Sequence, residues 1–472
     1  MSYNASKQFR CDIVRTRAVS KIDDLLPIYA KIIHDVCPCS ESDFVDSFNF
    51  ELKNYLLSIG SSVDKKALNN HRTETAKTLF GMYYVDQMGI VHESERTEKY
   101  LKDGDQPAFF KDFCYKLQFP SGMTKQQKLE ERISKGVSIY PYRFLLAVLQ
   151  KALKEGVTLN IRELGYYVLN SEDVLCGLST PDEVIKAIKD DQKAGAHHDI
   201  DTGKNKPWDW EHIEGMINYL TLANLVTVNG KKRMGHERNV TINSLEASAV
   251  KIFVDGVDEA LKFDVLSYDR STIKKRKEFQ LAWDKYNASL SDKYSSFYTM
   301  PSALGISLRM LPTKTSKKAA HTIAIGKIGE SYVYNYEIER VKKIDPTYCS
   351  LIKDRSAERG IGFDIESIVG DGSAPMTPKY IEVKTTTRVT APSVKNFIDS
   401  INITRNEWKA AQTFKDAFFI YRVYITKGKV FIFVIGSIIE KETLSLLEVS
   451  APVYEVRFDV AKSGVVDEKI SI

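Results

Sequence analysis

Near its C-terminus the chain reads Gly362-Phe-Asp-Ile365 and, further on, Ile381-Glu-Val-Lys384. Successive side chains of a β-strand point to opposite faces, so Glu382 and Lys384 share one face while Val383 points to the other. The preceding strand delivers Asp364 as a second carboxylate. Two carboxylates beside an ammonium suit a hard cation and phosphodiester hydrolysis. A bare Glu-x-Lys more often marks the solvated face of an amphipathic strand. Here Phe363 and Ile365 flank Asp364, and Ile381 and Val383 flank Glu382, so the polar set is aligned rather than scattered.

The flanking sequence supplies more of the pattern. Upstream, Ile325-Gly-Lys-Ile-Gly-Glu330 opens a helix with Ile325, Ile328, Tyr332 and Tyr336 on one side. Gly326 and Gly329 predict a close approach of that helix to a sheet, with Glu330 beside it as a third carboxylate. Downstream, Thr404-Arg-Asn-Glu-Trp408 places Thr404 three residues before Glu407, a capping box that assigns Glu407 to the helix start. Arg405 and Asn406, in the first turn, are candidates to meet a DNA phosphate. Two strands, 417–425 and 429–435, joined by a turn at Thr426-Lys-Gly428, complete the sheet.

Helix with Glu, strand with Asp, strand with Glu-x-Lys, helix, strands: this order resembles the PD-(D/E)XK nuclease superfamily. Within it, Gly329-Glu330, Gly362-Phe-Asp-Ile365, Ile381-Glu-Val-Lys-Thr385 and Thr404-Arg-Asn-Glu-Trp408 resemble the C-terminal domain of the plant NO VEIN protein, which recurs in bacterial restriction and phage-defence proteins. The resemblance covers 320–440 and implies an α/β restriction-endonuclease-like domain of αβββαβ order. It further implies Mg2+, with Mn2+ as an alternative, held by Asp364, Glu382 and the Val383 carbonyl. Lys384 would orient the attacking water or help deprotonate it, and Glu330 would hold a water or a second metal. Attacking and leaving oxygens both carry developing negative charge, which a metal and a lysine stabilise.

Composition sets the frame. A chain of 472 residues is expected to hold about three domains. Its 43% hydrophobic and 27% charged residues are those of a globular protein, and its net charge of +5 is compatible with a polyanion partner. Cys11, Cys114, Cys176 and Cys349 are isolated, which fits a reducing cytosol. Cys37-Pro-Cys39 lacks a matching pair at zinc spacing and reads as a loop. No apolar run approaches about 18 residues, so a soluble, cytoplasmic protein without a membrane partner is expected.

The front of the chain reads as mainly helical, with boundaries at 1–135, 136–245 and a helical, basic connector at 246–319 before the nuclease domain at 320–472. Between 140 and 242 the order helix, short strand, helices, then two strands around a basic Gly turn is that of a winged helix. Its wing carries Lys231, Lys232 and Arg233, placed to neutralise phosphates. Asn69-Asn-His-Arg72 is expected to open a helix. There Asn70 and Arg72 are candidate base readers, and N-capping by Asn69 or Asn70 is the simpler alternative. His197-His-Asp199 with Asp201 reads as a flexible surface loop rather than a metal cluster. The connector contains Lys274-Lys-Arg-Lys277 and Thr313-Lys-Thr-Ser-Lys-Lys318, a solvated linker or a stretch lying along DNA. The string from Arg72 through Tyr84, Lys116-Leu-Gln-Phe-Pro120, Tyr140-Pro-Tyr-Arg143 and Arg162-Glu-Leu-Gly165 is similar to the front half of AlwI-type restriction endonucleases, in which two winged-helix-like subdomains read DNA ahead of a PD-(D/E)XK domain.

Together these features predict a multidomain, Mg2+-dependent restriction-type endonuclease acting on double-stranded DNA. One such site cuts one strand, so duplex cleavage calls for a homodimer or two successive nicks. No Walker A motif is present. The rival readings are a modification-dependent defence nuclease, with Tyr83, Tyr84, Tyr166 and Tyr167 as candidate sensor aromatics, and a non-catalytic winged-helix DNA-binding regulator.

Overall fold

The computed structural model describes residues 3–10, 12–13, 19–203, 206–306, 325–358, 360–370, 376–393, 397–450, 454–459 and 466–470. The basic run 313–318 and the expected boundary at 320 lie outside the described residues. The chain is multidomain and divides into two compact units. Unit 1 comprises 1–53, 63–101 and 106–298; unit 2 comprises 54–62, 102–105 and 299–472.

Unit 1 is mainly helical with two small sheets. In its first part, strands β1 (Cys39–Ser40), β2 (Tyr83–Val85) and β3 (Ile90–Glu93) pair in the order β1-β3-β2. Cys39 therefore belongs to a short strand, not to a loop. The helix expected to open at Asn69 starts earlier: Lys65–Asn70 is capped by the Asp64 side chain accepting from the Ala67 amide. It runs on into a π-helical stretch, His71–Leu79. Asn69 and Asn70 thus lie inside the helix and cap nothing.

The second part of unit 1 runs helix Pro141–Lys154, β4 (Leu159–Asn160), a helical stretch over Ile161–Leu169, helices Glu172–Leu175, Pro181–Ala194 and Lys206–Leu222, then β5 (Val226–Asn229) and β6 (Asn239–Ile242). Asn160 with Glu163 and Thr180 with Glu183 form capping boxes that start two of these helices. The three strands pair in the order β4-β6-β5.

Residues 246–298, expected as part of a connector, are built into unit 1. Helix Ala247–Asp255 buries Val250 and Phe253, and helix Ile273–Ala288 buries Phe279 and Trp283. Trp283 packs so tightly on Gly122 that a Cβ there would lie 2.3 Å from its ring. The helical stretch expected around 274–283 is thus present, as an anchored part of unit 1 rather than of a connector.

Unit 2 opens with helix Ile325–Lys342, followed by β7 (Lys353–Asp354), β8 (Ile365–Ile368), β9 (Pro378–Thr387), β10 (Ile398–Ile403), helix Arg405–Phe414, β11 (Phe418–Thr426), β12 (Lys429–Ile435), helix Ile438–Thr443, β13 (Leu447–Ser450), β14 (Tyr454–Asp459) and β15 (Val466–Ile470). The main sheet is mixed, ordered β15-β12-β11-β9-β8-β7, with β9 and β11 parallel and the other neighbours antiparallel. A second antiparallel sheet has the order β10-β14-β13.

Strand parity assigns the core to two faces of the main sheet. Ile381 and Val383 of β9, with Tyr421, Val423 and Ile425 of β11, pack with Ile328, Tyr332 and Val333 of helix 325–342. On the other face Ile420, Tyr424 and Phe433 pack with Trp408 and Ala411 of helix 405–414. Tyr380, Glu382 and Lys384 belong to that second face, under the start of the 405–414 helix.

Candidate active site

Glu382 and Lys384 stand two residues apart on β9, and the alternation of the strand brings them together: Lys384 Nζ lies 2.7 Å from Glu382 Oε1. The same ammonium donates to Glu407 Oε2 at 2.8 Å. Glu407 also closes the capping box of its helix. Its backbone N–H is accepted by Thr404 Oγ1, and its Oε2 accepts the Thr404 N–H at 2.9 Å. One carboxylate therefore both caps a helix and holds the lysine. The capping signature had assigned Glu407 a structural role alone. What it also implied is that the glutamate folds back toward its own helix start, which here is the side facing β9.

Asp364 immediately precedes β8. Its N–H donates to the Ile381 carbonyl at 2.8 Å, and its Oδ2 accepts the Val383 N–H at 2.8 Å. The carboxylate thereby occupies the edge of β9. The N–H and C=O of one strand residue leave by the same edge, so the Val383 carbonyl is directed toward Asp364 as well. Phe363 does not alternate with Asp364 as expected of a continuous strand. It packs on Tyr380 and Phe414, at ring-centroid distances of 4.9 and 5.9 Å. Gly362 explains the bend: its φ is +82°, and a Cβ would come within 2.5 Å of the Asn406 carbonyl oxygen. Only glycine lets this segment turn and lie against the first turn of helix 405–414.

Helix 325–342 approaches β9 from the opposite face. A Cβ on Gly329 would sit 1.7 Å from Thr385 Oγ1, so the glycine is what permits the contact. Gly326 plays no such part, since the nearest atom to its hypothetical Cβ is Glu330 Oε1 at 3.8 Å. Thr385 and Lys384 point to opposite faces, and Glu330 arrives on the Thr385 side. It pairs with Lys327 at 3.4 Å, and its charge reaches Asp364 electrostatically. Among the described residues no three His, Cys, Asp or Glu side chains gather as a metal-holding group. Glu330 nonetheless exerts the largest charge effect on Asp364, ahead of Lys384 and Glu407, and Asp364 in turn acts on Glu382.

The electrostatics of this set are one-sided. The Asp364 carboxyl is held up at about 6: burial raises it most and the charges of Glu330 and Glu407 add to this, against the Val383 hydrogen bond and Lys384. Burial also drives Glu382 well above the ordinary carboxylate range, reinforced by Asp364 and Glu407 and opposed by Lys384. Burial opposes the charge of Lys384, but Glu382 and Glu407 outweigh it and hold the ammonium above the usual lysine range. Asp364, Glu382 and Glu407 share one half-buried cation, Lys384, and the set is short of positive charge.

A second ionic cluster, which no motif announced, lies on the 325–342 side of the sheet. Glu337 is fully buried and accepts from Tyr421 Oη at 2.6 Å, Ser367 Oγ at 2.7 Å and Arg340 Nη2 at 2.6 Å. Lys379 pairs with the same carboxylate at 3.5 Å. Burial raises Glu337, but Lys379 and Arg340 more than offset this and keep it low, whereas burial brings Lys379 down to about 8. Helix periodicity marks position 337 only as sheet-facing; its partners come from three separate elements.

The remaining candidates scatter. Arg405 and Asn406 are exposed at the start of the helix that carries Glu407. Lys231, Lys232 and Arg233 are exposed at the β5–β6 connection. Asn70 is half-buried inside its helix. Arg72 is buried, and its Nη1 donates to Asn49 Oδ1 at 2.7 Å and Asn69 Oδ1 at 3.0 Å, which departs from an exposed base-reading side chain at a helix start. Tyr83, Tyr166 and Tyr167 are core residues, so of the four proposed sensor tyrosines only Tyr84 reaches the surface. His198 is not in a loose loop: it stacks on Tyr166 at 4.9 Å and lies 3.2 Å from Asp191. No helix among the described residues is long and apolar enough to cross a membrane.

Comparison with known proteins places both parts of the chain. Residues 3–284 match the family described as restriction endonuclease BpuJI, N terminal. Residues 329–435 match the family described as protein NO VEIN, C-terminal. Among solved structures, the BpuJ1 endonuclease binding domain in complex with pyrene- and phenanthrene-modified DNA is similar to this chain at 38% identity with a TM-score of 0.57. The match covers 61% of this chain and all of that one. No curated protein matches.

Proposed function

The chain belongs to the restriction endonuclease BpuJI N-terminal family, and from that premise we propose that it is a restriction-type endonuclease whose unit 1 binds double-stranded DNA and whose unit 2 hydrolyses it with Mg2+. The observation that carries the reading is the set of buried Glu382 with half-buried Asp364 and Lys384, at the start of β8 and on β9. The DNA complex of the similar binding domain supports the substrate. In unit 2 a helix, three antiparallel strands, a second helix and a strand parallel to β9 support the αβββαβ reading, and β4–β6 with their helices support a winged helix in unit 1.

The donor set suits a hard divalent cation. Both carboxylates are held above their ordinary pKa by burial in a region of excess negative charge, the condition a cation relieves. Asp364 and Glu382, with the Val383 carbonyl, would hold Mg2+, and Mn2+ fits the same oxygen donors. When bound, the metal supplies Lewis-acid stabilisation of charge on the scissile phosphate and lowers the pKa of a bound water.

The protein side chains set the rest of the chemistry. Lys384 stays protonated between Glu382 and Glu407, so it acts as a donor that orients the attacking water and neutralises charge on the phosphate, not as the base. Glu407 positions Lys384. Glu330, on the other face, acts on Asp364 through its field. Arg405 and Asn406, exposed at a helix start beside the site, are placed to meet a backbone phosphate. The products carry 5′-phosphate and 3′-hydroxyl ends, and cutting both strands takes two copies of the chain or two nicks.

Incubation of plain and methylated plasmid with Mg2+ tests the assignment. The wild type is expected to cut at least one plasmid, and Asp364→Ala and Lys384→Ala to lower the rate about 100-fold or more. Cleavage that survives both substitutions overturns the assigned site.

A further inference from the structure

Unit 1 contains a cleft that none of the chemistry above uses. It lies between the β2–β3 hairpin and helix Ile273–Ala288, encloses about 1010 Å3, and its lining includes Tyr84, His92, Lys274, Lys277, Leu281 and Lys285. The three lysines are exposed, at positions i, i+3 and i+11 of one helix, so they form a stripe along one face. Helical rise separates the first from the last by about 16 Å along the axis.

No carboxylate is bonded to these lysines among the described residues, although the rest of the neighbourhood is well paired. Lys275, next in sequence, is taken by Asp269. Asp86, at the rim, is committed to His92 Nε2 at 2.9 Å and to the backbone amides of Met88 and Ile90. Glu278 is the remaining acidic residue of the lining. His92 in turn stacks on Tyr84, with ring centroids 5.3 Å apart and planes at 21°, and both rings line the cleft with the lysines. The helix itself is fixed by buried Phe279 and Trp283, so the stripe is pre-organised.

We infer that this cleft seats the phosphodiester backbone of DNA. A stripe of about 16 Å spans four to five nucleotide steps of one strand at about 3.4 Å per step, enough for three phosphate contacts. The contacts are ionic and carry no base information, so the cleft adds affinity and register but not sequence choice. It is separate in the chain from the β5–β6 lysines and rests on the reading that unit 1 binds duplex DNA.

The test is the salt dependence of binding by the full chain, measured by fluorescence anisotropy in EDTA with two unrelated 30-base-pair duplexes. Three phosphate contacts contribute about 2 to 3 to the slope of log K against log salt. The triple variant Lys274→Gln/Lys277→Gln/Lys285→Gln is expected to lose that amount and to weaken both duplexes by the same factor, while the triple Lys→Arg variant keeps the wild-type slope. A slope unchanged in the Gln variant overturns the cleft alone, as does competition by an acidic polyglutamate peptide that depends on these lysines while DNA binding does not. Absence of any duplex binding by the wild type overturns the DNA reading and the cleft with it.

Discussion

Asp364→Asn is expected to make the metal-free protein more stable while removing its activity. Burial and neighbouring carboxylates raise Asp364 from 3.8 to about 6. A carboxyl raised in the folded state binds more protons folded than unfolded between these two values, so stability falls as pH rises through that window. Above it the ionised group costs about 3 kcal/mol, at about 1.4 kcal/mol per pKa unit. Asparagine removes the charge, and its Oδ1 can still accept the Val383 N–H. Its amide hydrogens need partners, so the net gain is about 1 to 3 kcal/mol. Urea unfolding in EDTA, following the transition of unit 2, measures it. The variant should exceed the wild type at pH 7.5 and lose most of its advantage at pH 4, where the wild-type carboxyl is protonated. Saturating Mg2+ should stabilise the wild type and not the variant. A variant less stable than the wild type at pH 7.5, or an advantage equal at both pH values, would refute the claim that the site is strained by excess negative charge.

Three further outcomes follow from the same geometry. Gly329→Ala places a Cβ 1.7 Å from Thr385 Oγ1 and should cost about 1 to 3 kcal/mol in thermal unfolding, partly recovered by adding Thr385→Ala; an unchanged Tm contradicts the close approach. Glu407→Gln keeps an oxygen for the helix cap but removes one of two charges that raise Lys384, so the alkaline limb of the plasmid-cleavage pH profile should move to lower pH, and an unmoved limb argues against Lys384 as the protonated donor. Glu337→Gln leaves buried Lys379 and half-buried Arg340 without their carboxylate and should destabilise the protein by about 3 kcal/mol, measured by chemical unfolding; a loss below about 1 kcal/mol would mean that the cluster rearranges.

Much of the site is local in sequence, and that part was legible. Glu382 and Lys384 meet because two residues is the period of a strand, which holds wherever β9 sits. Gly329 could be read as a close-approach position because glycine has no Cβ to obstruct a neighbour; Gly362, read only as part of a motif, is another. Gly326, identical in sequence terms, meets only its own helix's Glu330 side chain, because which glycine of a helix touches a sheet depends on the rotation of the helix.

The front half shows the same division. The capping boxes at Asn160 and Thr180 and the helix over 141–154 follow from patterns within a few residues. The helix around Lys274–Lys277 and Trp283 was legible, but that Phe279 and Trp283 anchor it in unit 1 depends on distant partners such as Gly122. Arg72 looked like a base reader because its side chain carries the right donors. Its commitment to Asn49 depends on a separate helix that no spacing rule connects to it.

The sequence by itself determined that two carboxylates and a lysine come from adjacent strands of one sheet, because residue type and strand period are local properties. Only the tertiary structure decided the company they keep. Glu407 joined the site from one helix, Glu330 acts on Asp364 from another, and Glu337 gathered Lys379, Arg340, Tyr421 and Ser367 around it. Those outcomes turn on which face each helix covers and on how many like charges are enclosed away from water, quantities that exist only once the chain has folded.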